Sequence, residues 1–543
     1  MSNAYFKVPH PQNEPIYSYA PGTPEREALK KKLSELMAKE IEVPLIIGGK
    51  EIRTGKTGEM HTPHDHGIKL GVYHKASKKE VEMAIEAALE ARRAWAEMPW
   101  EQRVSIFLKM AELLSGPYRT LLNAATMLGQ SKTAYQSEID AVAELADFWR
   151  FNAFYMAELM KEQPYSPRGF WNRQEYRPLE GFIFAATPFN FTSIAGNLPT
   201  APALVGNVVL WKPASSAVYS AYFLMQLFKD AGMPDGVINF VPGSGGQVGT
   251  PALTSPHLAG IHFTGSTNTF QTMWKMVGEN ITRMKYYPRI VGETGGKDFI
   301  FVHNSARVKP LAIAAIRGAF EYQGQKCSAA SRMYIPKSLW PEFKEIYTAE
   351  VEKIKMGDPM DFRNFMTAVI DKAAFESITS YIKYAAESDE AEFITGGKYD
   401  DSRGYFIEPT TIVTTNPRFK TMQEEIFGPV LTIYVYEDEK FEETLELCDT
   451  TSPYALTGAI WAQDRQALIK MSDRLRNAAG NFYINDKPTA AVVGQQPFGG
   501  GRASGTNDKA GSALNIMRWM SVRSIKETMV PPEDWTYPFM EAE

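Results

Sequence analysis

"NVVLWKPASSAVYSAYFLMQLFKDAGMPDGVINFVP", residues 207–242, reads as an apolar run, a helical stretch and a second apolar run. Each apolar run is short and is closed by a proline, and between them the apolar residues recur at helical spacing. The same texture extends outward through "GFIFAATP" (181–188), "GIHFTGS" (260–266) and "DFIFVHN" (298–304), each ended by Pro, Gly or Asn. Strands alternating with helices argue for βαβ units and a parallel sheet. The alternation resumes after residue 327 with "SLWPEFKEIYTAEVEKI", "LTIYVYE" and "LTGAIWA". The fold class is therefore α/β, with two large lobes.

Upstream, residues 1–24 are rich in Pro and polar groups and read as an extended arm. "PEREALKKKLSELMAKEI" places Leu29, Leu33, Leu36 and Met37 on one helical face. A second helix is expected from "SKKE", where Ser77 and Glu80 have capping-box spacing, to a stop at Pro99. "EQRVSIFLKMAELLS" and "SEIDAVAELADFWRFNAFYMAELM" read as further helices.

The chain has 543 residues, 58 basic and 63 acidic side chains and a formal charge of −5. That near-balance gives no electrostatic reason to expect nucleic acid or an anionic membrane as partner. No run of 18 apolar residues marks a membrane span. The start, "MSNAYFKVPHPQNEP", has neither a secretory core nor an Arg-rich presequence, so a cytoplasmic protein is expected. Two cysteines, Cys327 and Cys448, make no disulfide framework.

Cys327 lies in "EYQGQKCSAASR" among Gly324, Gln325 and Ser328, a small and polar setting that suits a reactive thiol better than a packing residue. Glu293 stands between glycines in "VGETGGKDF", where a general base or a surface turn both fit. Asn190 in "TPFNFT" can donate to an oxyanion or can close a turn. "GSGGQVG" (243–249) makes GxGxxxG rather than GxGxxG, so a phosphate cradle and a plain turn both remain open. Gly265-Ser266, between an apolar strand and a helical segment, offers helix N–H groups to a pyrophosphate. "HTPHDHG" (61–67) clusters His61, His64, Asp65 and His66, but Pro63 and Gly67 read as a turn and no metal is expected.

"TPFNFT", "WKP", "FTGS", "GETGGK", "GQKCS", "EEIFGPV" and "QQPFGG" occur in the chain order of the aldehyde dehydrogenase superfamily, which the sequence resembles over essentially its whole length. "FEYQGQKCSAASRMYIP", "NAAGNFYINDK" and "VGQQPFGGGRASGTNDKAG" are most similar to the branch that oxidises glutamate γ-semialdehyde. The resemblance implies a Rossmann-type NAD-binding domain (41–164 and 183–291) and a catalytic domain (292–500). It also implies a homodimer built through segments 165–182 and 501–543, behind an N-terminal arm and helix (1–40).

The resemblance makes Cys327 the nucleophile, with Lys326 beside it to lower its pKa, Glu293 the base that activates water, and Asn190 an oxyanion donor. Thr187, Lys212, Ser215, Gly265, Ser266, Glu425 and Phe427 become cofactor contacts. Ser215 stands where many relatives carry a glutamate that repels a 2′-phosphate, so NAD is expected with some use of NADP. On the substrate side, Phe191 and Phe498 form an aromatic pair, Ser328 helps bind the carboxylate and Glu144 faces the ammonium. Ala490 and Ala491 occupy the carboxylate-anchoring loop, where relatives carry glycine at 490, which raises the question of backbone strain there. A dehydrogenase for another short carboxylated aldehyde, such as succinate or adipate semialdehyde, is the alternative reading. A catalytically silent nucleotide-binding protein is the rival from another class.

Overall fold

The computed structural model describes residues 4–543. The first helix, Pro24–Met37, starts on proline, which lacks the N–H that an opening turn leaves unpaired anyway, and buries Leu29 and Leu33. Lys78–Glu97 is opened by the Ser77–Glu80 box: Glu80 Oε2 accepts from Ser77 N–H at 2.8 Å and from its hydroxyl. The helix stops before Pro99, which heads the next helix, Trp100–Ser115. A third stretch runs from Ala134 to Leu159 but widens to π-helical turns over Glu138–Glu144. Insertions of this kind are frequent at functional sites.

Two seven-stranded sheets carry the molecule. The first runs, edge to edge, Arg289–Glu293, Leu258–Thr264, Phe182–Ala186, Val208–Lys212 and Ile238–Phe240, all parallel, then the antiparallel hairpin Leu45–Ile47 and Lys50–Ile52. In chain order the parallel strands lie 5-4-1-2-3, so the connections change direction between Phe182–Ala186 and Leu258–Thr264. A crevice opens at such a reversal, beyond the carboxyl ends of the strands.

The second sheet orders Ala391–Thr395, Thr410–Thr414, Val430–Tyr436, Ala330–Pro336, Asp298–Val302, Thr457–Trp461 and Asn481–Ile484, parallel except at its first edge. It is covered on both faces. Phe299 and Phe301 pack into one apolar layer and Ile300 and Val302 into the other, as strand alternation requires. Glu293 ends the first sheet and Asp298 begins the second, so four residues, Thr294–Lys297, join them.

A two-stranded antiparallel ribbon, Phe170–Pro178 with Met520–Thr528, stands apart from both sheets. The segment 41–74, where periodicity suggests no element, forms five strands. Three of them are only three residues long, too short to establish a period. Among the described residues, no helix is long and apolar enough to cross a membrane.

Asn207 ties three of these parts together. Its Nδ2 donates to the carbonyls of Pro202 and Trp519 at 2.9 Å, and its Oδ1 accepts from Leu179 N–H at 2.8 Å. All lie in the buried interior, where each abandoned polar group costs about 1–3 kcal/mol. Asn207→Ala is therefore expected to lower stability by roughly 3 kcal/mol, read as a lower urea midpoint. A midpoint unchanged from the parent would contradict this account.

Candidate active site

A cleft of about 740 Å³ opens at the reversal point of the first sheet. Thr187 and Asn190 reach it after the strand Phe182–Ala186, Lys212 from the end of the next strand, and Gly265 and Ser266 from the end of Leu258–Thr264. Cys327, Glu425 and Phe427 close it from the second sheet's side. These eight, Ser215 and the glycines at 245, 246 and 249, all singled out in the sequence, thus share one cavity.

The cleft suits a dinucleotide on its own chemistry. Lys212 Nζ has only the Pro213 carbonyl, at 3.1 Å, and burial lowers its pKa to about 8, so it gains by a hydroxyl or anionic partner. The helix Thr267–Asn280 starts at the cleft: its cap Ser266 and its residues Thr269, Thr272, Met273 and Met276 line it. A second helix, Gly245–Leu253, also begins at the cleft: Gly245 and Gly246 line it, and a Cβ added at either meets no atom within 4 Å. The open reading of "GSGGQVG" resolves to a cap and helix start against the cleft; the glycines were legible, but the spacing obscured their placement.

The loop that leads to Cys327 is held in an unusual conformation. Tyr322, Gln323 and Gly324 take left-handed φ of 54°, 56° and 66° in succession. A non-glycine residue pays of order 1–2 kcal/mol there. Gln323 offsets this with its whole amide: Oε1 accepts from Thr367 N–H at 2.9 Å, and Nε2 donates to Thr367 Oγ1 and the Ala368 carbonyl at 2.8 Å. Tyr322 donates its hydroxyl to the Gln130 carbonyl at 3.0 Å. At 324 only glycine fits, because a Cβ would sit 2.2 Å from the Gly428 carbonyl oxygen. The turn delivers the Gln325 carbonyl to Asn190 Nδ2 at 3.1 Å and leaves Cys327 buried at the cleft wall.

The electrostatics differ from the sequence expectation. Lys326 pairs with Glu321 at 3.2 Å, and the groups acting most strongly on the thiol are carboxylates. Burial, followed by the Asp298, Glu293 and Glu425 carboxylates, pushes the Cys327 thiol well above its ordinary value. Glu425 is itself raised to about 7 by burial, despite the Gly296 N–H at 2.9 Å, and Asp298 to about 8 by burial. Asp298 carries no motif of its own, and only the fold brings it here.

Glu293 does not line the cleft. Its Oε2 accepts from Gly500 N–H at 3.1 Å, and burial raises its pKa well above the carboxylate range. The residues expected on the substrate side have the following surroundings. Phe191 follows Asn190 and lies under the Lys132 ammonium, 4.2 Å from its ring, which also covers Tyr322 at 4.4 Å. Lys132 is buried and paired with Asp140 at 2.6 Å; the sequence reading missed it. Glu144, raised to about 8 by burial and the neighbouring Asp140, accepts from Ser193 Oγ at 3.0 Å. Ser328 follows Cys327 and donates to Thr489 Oγ1 at 3.0 Å, next to Ala490 and Ala491. Phe498 precedes the Gly499–Gly500 stretch that holds Glu293 and pairs its backbone with Ala510. Ala490 is not among the residues of positive φ, so the loop holds no left-handed strain there.

The histidines of "HTPHDHG" separate. His61 bonds the His66 carbonyl at 3.0 Å, His64 meets Ser131 Oγ at 3.2 Å, and His66 packs on Tyr405.

With its thiol raised, Cys327 should be alkylated by iodoacetamide slowly at neutral pH, the rate climbing with pH beyond 9. Cys448, pushed up to about 12 by burial, should stay unlabelled. A Cys327 rate that levels off below pH 7 would refute this reading.

Comparison with known proteins adds the following. Residues 52–525 match the model of the aldehyde dehydrogenase family. The chain is 54% identical over 538 residues to the Delta-1-pyrroline-5-carboxylate dehydrogenase of Agaricus bisporus, covering 98% of each. It is 49% identical over 530 residues to the human protein named Delta-1-pyrroline-5-carboxylate dehydrogenase, mitochondrial, covering 97% of this chain and 94% of that one. Its structure superposes on that of the Mycobacterium tuberculosis Delta-pyrroline-5-carboxylate dehydrogenase bound with NAD with a TM-score of 0.96, at 51% identity and full coverage of both chains.

Proposed function

Because the chain belongs to the aldehyde dehydrogenase family, we propose that it oxidises L-glutamate γ-semialdehyde, the open form of Δ1-pyrroline-5-carboxylate, to L-glutamate with NAD. The observation that carries this reading is Cys327 and Asn190 meeting at the wall of a dinucleotide-sized cleft. The names of the similar proteins supply the substrate and NAD.

Cys327 Sγ attacks the aldehyde carbon, giving a thiohemiacetal whose oxygen takes the negative charge. Asn190 has two amide hydrogens; one is used on the Gln325 carbonyl, and the other is available to that oxygen. The Cys327 thiol proton passes to solvent first, against the raised pKa, so the flanking carboxylates set a demand that the substrate-loaded site has to meet. NAD, when bound, supplies the two-electron acceptor that turns the thiohemiacetal into a thioester. Lys212, Ser215, Gly265, Ser266, Glu425, Thr187 and Phe427 would hold the dinucleotide, since all line the cleft. Glu293, swung from the Gly500 N–H, takes a proton from the water that cleaves the thioester. Its raised pKa makes it a stronger base than an ordinary carboxylate. The sign follows: the carboxylate form is lost as pH falls through that raised value, so thioester hydrolysis slows toward acid pH.

For recognition of the amino-acid end, Ala490 and Ala491 present their N–H groups, with Ser328, to the carboxylate. Glu144 faces the ammonium, whose positive charge favours its ionised form. Phe191 and Phe498 flank the aliphatic middle. The first sheet serves as the dinucleotide-binding domain and the second as the catalytic one. The ribbon and the tail, with exposed Trp171, Val522, Val530, Trp535 and Phe539, pair with a second copy. A reducing compartment suits two free cysteines, in the cytoplasm or, as the human relative's name has it, the mitochondrion.

The test is NADH formation with pyrroline-5-carboxylate against succinate semialdehyde. Cys327→Ala should abolish it, and Glu293→Gln should give one equivalent of NADH followed by a slow steady state. Preference for succinate semialdehyde, or full turnover by either variant, would sink the reading. Ser215→Glu should suppress the NADP reaction selectively; an unchanged NADP/NAD ratio would remove Ser215 from the 2′ position.

A further inference from the structure

The arm before the first helix makes contacts that the chemistry above does not use. Asn13 Nδ2 donates at 2.8 Å both to Asp147 Oδ2 and to the Val493 carbonyl, and its Oδ1 accepts from Gln495 Nε2 at 2.9 Å. One side chain therefore joins the arm, the helix Leu145–Leu159 and the loop after the strand Asn481–Ile484. The arm is itself fixed at this point. Glu14 N–H donates to Asp147 Oδ1 at 2.7 Å, and the Glu14 carboxylate accepts from Arg119 at 2.8 Å and Arg150 at 2.6 Å.

The loop end that Asn13 holds is docked on the same helix. Val493 is buried with Phe148 and Phe151, and Gly494 takes φ of +82° with the Phe151 ring where a Cβ would be. The other end is held at Thr489 by Ser328, the neighbour of the nucleophile. Between the two anchors run Ala490, Ala491 and Val492. The position of that short span relative to Cys327 thus depends on where each anchor sits.

We propose that Asn13 is a positioning residue for substrate: by latching Val493 and Gln495 to the Leu145–Leu159 helix, it sets the Ala490 and Ala491 N–H groups at the distance from Cys327 that the carboxylated aldehyde requires. This rests on the reading of that loop as the carboxylate site. A recognition group works only if held to within about 0.5 Å, and a loop gains such definition from the hydrogen bonds that support it. An aldehyde without a carboxylate makes no demand on this distance, because it ends short of the loop. The latch therefore acts on one class of substrate and not on the other.

The experiment compares glutamate γ-semialdehyde with butyraldehyde, as kcat and KM, in the full-length parent and in Asn13→Ala, Gln495→Ala and Ala491→Leu. Asn13→Ala should raise KM for the semialdehyde about tenfold, the worth of one to two hydrogen bonds, with kcat and the butyraldehyde KM unchanged. Gln495→Ala, which removes one half-free contact and keeps Asn13, should raise the same KM about threefold and serves if the first variant folds poorly. Ala491→Leu separates the two readings. If it is selective against the semialdehyde while Asn13→Ala and Gln495→Ala are not, the latch is wrong and the loop reading stands. If Ala491→Leu harms both aldehydes equally, the loop does not read the carboxylate and both ideas fall.

Discussion

Four residues between two sheets set the geometry on which this protein depends. Thr294–Lys297 leaves the first sheet at Glu293 and enters the second at Asp298, and it does so through very close contacts. A Cβ at Gly295 would lie 2.3 Å from Glu425, and one at Gly296 would lie 2.3 Å from the Cys327 carbonyl oxygen. At Gly296 only bare backbone passes, whereas a side chain at Gly295 would have to displace the Glu425 carboxylate. Thr294 is pinned from the other side by Ser504 and Ala503, and Lys297 by Ser331. The edge of the cleft built by one sheet is in this way brought against the Cys327 loop built before a strand of the other.

That closeness has an electrostatic consequence. Glu293, Asp298 and Glu425 all lie near Cys327, and each is removed from water, so their charges act through a medium less able to screen them. The site suppresses its own thiolate at rest. Lys326, the nearest cation along the chain, is occupied by Glu321 and does not relieve this. A thiol kept protonated is also less open to adventitious oxidation, since the thiolate is the reactive form.

Backbone strain and polar satisfaction are balanced in the same loop. The left-handed Tyr322-Gln323 pair is disfavoured locally, and a fully hydrogen-bonded buried glutamine, a tyrosine bonded to Gln130 and the Lys132 ammonium over that ring hold it in place. The Lys132–Asp140 pair reaches further: Asp140 accepts from the N–H groups of Thr192 and Ser193 and so caps the helix that follows Phe191. The π-helical turns that carry Asp140 and Glu144 thus connect the Cys327 loop with the aromatic and acidic groups proposed for substrate.

What the sequence determined by itself were the elements with a period or a cap, and the motifs whose residues are contiguous. The strand-helix-strand texture around residues 181–266, the Ser77–Glu80 box and the Cys327 neighbourhood are written locally, because propensity, capping and turn chemistry act within a few residues. The tertiary structure decided whatever depends on residues distant in the chain. It paired Lys326 with Glu321, brought the motifless Asp298 near the thiol, set Gly245 and Gly246 against the cleft despite their spacing, and relieved Ala490 of the strain its substitution suggested. It also joined Asn13 to Val493 across 480 residues. Burial and close approach fix a side chain's charge state and partners, and neither exists until the sheets have packed.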